Sequence, residues 1–275
     1  TQNKNLIAEN FRASYGTGFV LNTINVGANE NSGIEMVLDY QVINKKDFTW
    51  NTRLNFNRMR NKVTELPSSV PEFYISDTWL YGNARGGLTL GNPTTTITSY
   101  GYQRNTAGKI LIDPATGIPL VDPNFKVRGD RNPNFTLGWI NNITYKDLRV
   151  SFLWDLRVGG DIFNATEMYM TLIGRSQRSV DRMTPRVVAG VLKDGLENSA
   201  NPTSNSIAVV PYYQQTYYTS MPEEEFIQKN VNAFRLRDIT FNYNIKKFMT
   251  EGIAKNTKTF SVFLTVQRMS FNFTY

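Results

Sequence analysis

Chemistry in this chain would have to be done without histidine or cysteine, since neither occurs among its 275 residues. That removes the commonest general base, any thiolate nucleophile, disulfides and the usual zinc ligands. Carboxylates remain, but pairs such as Asp155 and Asp161 stand in no recognisable catalytic motif. Asp113-Pro114-Ala115-Thr116-Gly117 and Asp122-Pro123 read as tight turns, and their acidic positions do not reproduce the spacing of an EF-hand calcium loop. No catalytic, cofactor-binding or metal-binding residue is expected on these grounds. The side chains left for function are aromatic. Trp79, Tyr81, Tyr100 and Tyr102 in one long segment, and Tyr212, Tyr213, Tyr217 and Tyr218 in another, are the candidates for meeting a ligand or partner. Such rings stack on sugar faces or fill a partner's pocket at little conformational cost, although packing of the segments themselves uses the same residue types.

The formal charge of +7 and a pI near 9.5 raise the question of nucleic acid. Arg53, Arg58, Arg60, Arg149, Arg157, Arg235 and Arg237 are spread over strand-like and loop-like stretches. They form no basic helix and no nucleic-acid motif, so no nucleic-acid partner is expected.

The elements that must carry these residues are strands. From Phe135 the odd positions hold Phe135, Leu137, Trp139, Ile143 and Tyr145, and the even ones Thr136, Gly138, Asn142 and Thr144. After Lys146-Asp147 the parity moves to even, with Leu148, Val150, Phe152, Trp154, Leu156 and Val158 against Arg149, Ser151, Asp155 and Arg157. Ile140, Asn141 and Leu153 break the pattern. Each arm has the roughly 9 to 11 residues that a tilted strand needs to cross a bilayer, with one apolar face and one polar face. The same alternation marks Ile34 to Val42, then Phe48 to Asn57 after a polar turn at Asn44-Lys45-Lys46-Asp47, then Phe234 to Ile245 and Phe260 to Gln267. A further strand ends before Gly16, giving about seven. A change of parity at Arg237-Asp238 predicts a bulge. Phe48, Trp50 and Tyr145 cluster beside the short turns, as an interfacial aromatic belt would.

Between these strands run two long connections, 67–133 and 160–233. Asp161 to Leu172 is expected to hold a short helix. Ser220-Met221-Pro222-Glu223-Glu224-Glu225 suits another, with Ser220 as a candidate cap and acidic residues in the first turn. No apolar run is long enough for a transmembrane helix. The chain opens at Thr1 with no signal-peptide pattern, so a processed chain or a fragment is expected. Periodicity alone leaves two readings open: an antiparallel transmembrane β-barrel, or a soluble or surface-anchored β-sandwich that binds glycans or proteins. In a barrel the Trp139, Phe152 and Trp154 face meets lipid, whereas in a sandwich it meets a second sheet.

Several stretches carry a resemblance that separates the two. Gly129-Asp130-Arg131-Asn132-Pro133-Asn134-Phe135, Tyr145-Lys146, Gly159-Gly160-Asp161 and Asn164-Ala165-Thr166 resemble an ordered run in SusC/RagA-type TonB-dependent outer-membrane transporters. Asn25-Val26-Gly27 with Gly33-Ile34-Glu35, Asn61-Lys62-Val63 and Arg235-Leu236-Arg237-Asp238 are similar to further signatures of that family. Ser32 and Gln267-Arg268-Met269-Ser270 depart from it. The resemblance implies an all-β fold, the C-terminal portion (1–275) of a transmembrane barrel of about 22 strands, with the plug domain and N-terminal strands outside this chain. It implies short periplasmic connections at 44–47, 146–147 and about 247–257, and extracellular loops at 67–133 and 160–233. It also implies a cell outer-membrane location and contact with lipid. The expected partners are TonB, through the absent N-terminal part, and a SusD-like surface lipoprotein. The implied substrate is an oligosaccharide or peptide, and no enzymatic activity is expected.

Overall fold

The computed structural model describes residues 1–12, 21–68, 72–74, 83–214, 216–244 and 261–273. The chain begins with β1 (Gln2–Arg12), β2 (Leu21–Lys45) and β3 (Phe48–Glu65). The first long connection holds β4 (Glu72–Tyr74), β5 (Gly87–Thr89), β6 (Thr96–Tyr102), β7 (Leu111–Ile112) and β8 (Val121–Asp130). A hairpin follows, β9 (Phe135–Tyr145) and β10 (Leu148–Val158). The second connection holds β11 (Ile162–Phe163), α1 (Ala165–Leu172), β12 (Arg186–Val187), β13 (Val191–Leu192), β14 (Ala208–Val209) and β15 (Ile227–Gln228). β16 (Asn232–Asn244) and β17 (Ser261–Phe273) complete it.

Seven of these strands form one antiparallel sheet in the order β1-β2-β3-β9-β10-β16-β17, an open wall with β1 and β17 at its edges. The register sorts side chains by parity. One face carries rows such as Leu38-Leu54-Trp139-Trp154-Leu236 and Met36-Phe56-Leu137-Leu156-Phe234. Trp154 stacks on Phe234 with ring centres 4.5 Å apart, and Trp139 meets Phe152 edge to face. The other face carries rows such as Asp39-Arg53-Ile140-Leu153-Asp238 and Val37-Asn55-Gly138-Asp155-Arg235. On it Arg53 pairs with Asp39 at 2.5 Å and Arg237 with Asp155 at 2.7 Å. No second sheet lies across the apolar face among the described residues, where Leu38, Tyr40, Tyr145 and Tyr243 are each more than half exposed. That is the arrangement of a lipid-facing wall and not of a sandwich.

The breaks in alternation now have partners. Ile140 and Leu153 sit opposite each other on the polar face. Asn141 lies on the apolar face at 0% exposure, accepting a hydrogen bond from Trp50 Nε1 at 2.9 Å, while neighbouring Trp139 Nε1 donates to Thr52 at 2.8 Å. The bulge falls where parity indicated it: Leu153 pairs with Asp238 and Trp154 with Leu236, so Arg237 is the extra residue. A second bulge was not foreseen. Gln41 pairs with Asn51 and Ile43 with Trp50, so Val42 is passed over and Ile43 takes the apolar position that alternation assigns to Val42. The start of β2 at Leu21 is also earlier than its clear alternation.

Both described short connections, Lys46-Asp47 and Lys146-Asp147, are two-residue turns at the same end of the wall, tied by the Lys146 amide donating to Asp47 O at 2.8 Å. Phe48 and Tyr145 meet there with ring centres 6.4 Å apart, which puts the aromatic belt at the turn end. The loop before β2 with Gly16 and Gly18, and the connection at 247–257, lie outside the described residues. β2 and β3 run past the hairpin at the opposite end, where both long connections leave the sheet.

The long connections hold most of the fully buried apolar residues. Ile112, Val191, Val209, Ile97 and Phe226 are buried there, whereas among the described residues the wall buries few side chains of its own. α1 forms where expected, capped by Asn164, whose Oδ1 accepts from the Glu167 amide at 3.0 Å. The 223–226 segment is one 3-10 turn preceded by Pro222, with no side-chain cap; Ser220 instead donates its hydroxyl to Thr216 O. The Asp113 turn is as expected, with Gly117 at φ +72 and Asp113 accepting from the Ala115 amide. Asp122-Pro123 is not a reversing turn. It lies inside β8, where Ser99 faces Lys126 and Gly101 faces Asp122, so the extra residues are absorbed as a bulge.

Candidate ligand-facing site

The two long connections are one packed unit. β7 from the first pairs in parallel with β13 from the second, Leu111 opposite Val191 and Leu192 opposite Ile112. Asn105 donates to Glu197 O at 2.8 Å, and Asn83 to the Glu223 carboxylate through its amide at 2.8 Å. Glu224 reaches from the second connection into the first, accepting from the Tyr102 amide at 3.0 Å and from Arg104 at 3.1 Å, with Arg128 at 3.5 Å. Gly101 makes that reach possible, since a Cβ there would stand 2.1 Å from the Glu224 carboxylate. Arg128 also contacts Asp122, whose carboxyl is held down at about 2 by hydrogen bonds from Lys126 and the Asn124 amide.

Within this unit the candidate aromatics separate. Trp79 and Tyr81 lie outside the described residues. Tyr100 packs edge to face on Phe125, and Tyr212 does so on Tyr213 at a surface where Tyr213 is 73% exposed. Tyr102, Tyr217 and Tyr218 come together. Tyr102 is 7% exposed and lines a cavity of about 130 Å³ with Ile118, Val188, Tyr217 and Met221. Burial, reinforced by the nearby Glu225, pushes its phenol well above the usual range, so it stays protonated. On the far side of Tyr217 lies an open groove of about 520 Å³ that includes Tyr218, Arg178, Arg186 and Asp181. Arg186 sits 5.8 Å from the Tyr217 ring and pairs with Asp181 at 2.8 Å, while Arg178 is taken up by Glu225 at 2.8 Å. The groove offers ring faces with neutralised charges beside them, a surface for stacking. Among the described residues no three acidic side chains converge to hold a metal ion.

A second recess sits where the loop unit meets the wall. It measures about 330 Å³ and is lined by Arg85, Arg131 and Arg157 with Ile97, Ile162 and Phe163. Around it Arg60 of β3 and residues of the Gly129-to-Phe135 and Gly159-to-Asp161 stretches act as joints. Arg60 donates to Pro133 O at 2.8 Å and to Asn134 at 3.1 Å, and Asn132 to Met59 O at 2.8 Å. Asp161 accepts from the Asp130 and Asn230 amides, each at 3.0 Å, and from Lys229 at 3.1 Å. Burial raises its pKa, but these donors outweigh burial and hold the carboxyl below its usual range. Sequence reasoning passed over this recess and over Glu224, Asp122 and Arg128. Arg131 stood inside the Gly129-to-Phe135 run, but nothing in spacing alone brings Arg85 beside Arg157.

No protein-family model matches the chain. It is 29% identical to TonB-dependent receptor P3 of Formosa agariphila, across 52% of this chain and 16% of that protein. To TonB-dependent receptor P26 of the same organism it is 24% identical, across 90% of this chain and 25% of the relative. The chain thus spans a quarter or less of these curated relatives. Among solved structures it superposes on a chain of the RagAB peptide transporter with a TM-score of 0.63, at 15% identity, covering 98% of this chain and 28% of that one. The RagAB peptide importer in its "open-open" state gives 0.58, also at 15% identity, covering 97% and 28%. The chain is thus similar in sequence to proteins named as TonB-dependent receptors and shares its fold with a chain of the RagAB peptide transporter, in line with the resemblance carried by its motifs to SusC/RagA-type outer-membrane transporters.

Proposed function

We propose that this chain supplies the C-terminal part of the barrel wall, with two of the extracellular loops, of an outer-membrane transporter that imports an oligosaccharide or peptide. The remaining strands, the plug and the TonB-coupling segment belong to parts of the protein outside this chain, and a SusD-like lipoprotein covers the loops from outside. One observation carries the reading: a seven-stranded wall with an uncovered aromatic and aliphatic face, two-residue turns at one end and a packed loop unit at the other. Only a closed barrel lets such strands cross lipid without unpaired backbone groups, so the edges β1 and β17 must meet further strands. The groove at Tyr217 and Tyr218 and the exposed Tyr212–Tyr213 pair are the surfaces offered to substrate or lipoprotein. The expected result is that cells expressing the full-length protein take up its solute only when TonB is present, and that the lipoprotein encoded beside it co-purifies with it. Uptake that is indifferent to TonB would end this reading.

A further inference from the structure

We infer that the recess under Arg131 and Arg157 is a binding site for an organic anion, a compact oxyanion joined to an apolar body. The inference rests on the transporter reading, because it places the site on the path of a solute.

Charge comes first. The Arg157 guanidinium donates to Arg131 O at 2.7 Å and to Gly159 O at 3.4 Å, and Arg131 donates to Thr95 O at 3.4 Å. Carbonyl oxygens orient a guanidinium without cancelling its charge. Among the described residues the one carboxylate lining the recess is Asp161, and it is already engaged by two backbone amides and Lys229. The lining therefore keeps a positive excess, in a partly enclosed space where attraction to an anion is screened less than at an open surface. A planar fork of donors matches a carboxylate or sulfate oxygen pair.

Shape and position follow. Ile97, Ala84 and Phe163 form an apolar cluster that lines the same recess, so an anion with an aliphatic or aromatic body buries both ends. The volume of about 330 Å³ is at the small end of ligand sites. Gly160 keeps the guanidinium accessible: it adopts φ +86, and a Cβ would stand 2.7 Å from Arg157 Nη2. Arg157 lies on the polar parity of β10, so the recess opens from the inner face of the wall at its loop end. A solute entering past the loops meets it before the polar rows of Asp39, Arg53 and Asp155.

The test uses the purified full-length transporter in detergent and isothermal titration with three probes: hippurate, phenyl sulfate and neutral hippuramide. Wild type is expected to bind one or both anions and not the amide, and preference between the anions distinguishes a carboxylate-bearing solute from a sulfated one. Arg131→Gln, which among the described residues loses only a long hydrogen bond, should weaken anion binding at least about 10-fold. Arg157→Gln should do the same, with Arg157→Lys recovering part of the affinity. Absence of anion binding in wild type, equal binding of hippuramide, or unchanged affinity in Arg131→Gln each overturns the site. A transporter whose TonB-dependent uptake is normal but which binds neither anion would sink this inference and leave the transporter reading standing.

Discussion

Ile112 and Leu38 are both aliphatic residues in strands, yet Ile112 is fully buried within the loop unit and Leu38 is half exposed on the wall. The loop unit packs its apolar residues inward, around β7 and β13, as a water-soluble domain does. The wall turns its apolar residues outward and keeps Asp39, Arg53, Asp155 and Arg237 on its inner face. One chain thus meets two solvents, and the strand end at which the long connections leave the sheet is where the rule inverts. Arg60 and the motif residue Asn132 lie at that inversion and hydrogen-bond across it, while Asp130 and Asp161 join the two connections beside it.

The strongest test of the contrast is to remove one loop. Deleting 175–225 from the full-length protein takes away Val191 and Glu224 and so uncovers Ile112 and Tyr102. The remaining connection is expected to become protease-sensitive around 96–130, while heat-modifiable migration of the folded barrel persists. Loss of both would mean the two regions are not separable. Next in size is a pair of neighbours on β3. Leu54→Arg, placing a charge toward mid-bilayer, should cost about 2 to 4 kcal/mol in urea unfolding from lipid vesicles. Asn55→Arg points inward opposite Gly138, where there is room, and should cost less than about 1 kcal/mol. Equal penalties would show that inside and outside are assigned wrongly.

Smaller still is the response to acid. Asp122, at about 2 against an ordinary 3.8, and Asp161, also lowered, are stabilised as carboxylates by the fold. Because folding depresses them, their contribution is complete above about pH 4 and is lost as pH falls toward 2. The loop unit should therefore loosen in that window, seen as loss of tyrosine near-ultraviolet circular dichroism, before the wall unfolds. Asp122→Asn should blunt the change. The smallest effect expected is at Asn141. Its Nδ2 has no partner, so Asn141→Leu combined with Trp50→Phe removes a donor and an acceptor together and should be neutral within about 1 kcal/mol. Asn141→Leu alone strands the Trp50 N–H and should cost more than the double change.

Legibility in the sequence divides along the same line. Phe135 to Val158 could be read as a hairpin because lipid on one side and water on the other impose alternation on every residue of its two strands save three. Of those three, Ile140 and Leu153 make sense only once the register sets them opposite each other, and Asn141 only beside Trp50, which a distant strand contributes. The Arg237 bulge shifted a long run and so could be seen, whereas only three paired residues, Ile43 to Lys45, follow the Val42 bulge before the turn, too short a run to show the shift. In the loops most strands have two or three residues and carry no period, and β6, which holds Tyr102, is buried on both faces and so does not alternate. Tyr102 therefore looked like Tyr212, although one is buried under Glu224 and the other stands at the surface.

The pairing of β7 with β13 also bears on the order in which the molecule can be made. Leu111 and Val191 are about eighty positions apart, and the β9–β10 hairpin lies between them. Contacts between neighbours along the chain close faster than distant ones, so the hairpin forms while the connections are still loose. A loose polar segment can be threaded through a nascent barrel, and a finished, cored unit of that size cannot. Assembly of the loops after insertion is thus the expected sequence, and pulse labelling that found 96–130 protected before the wall had inserted would contradict it.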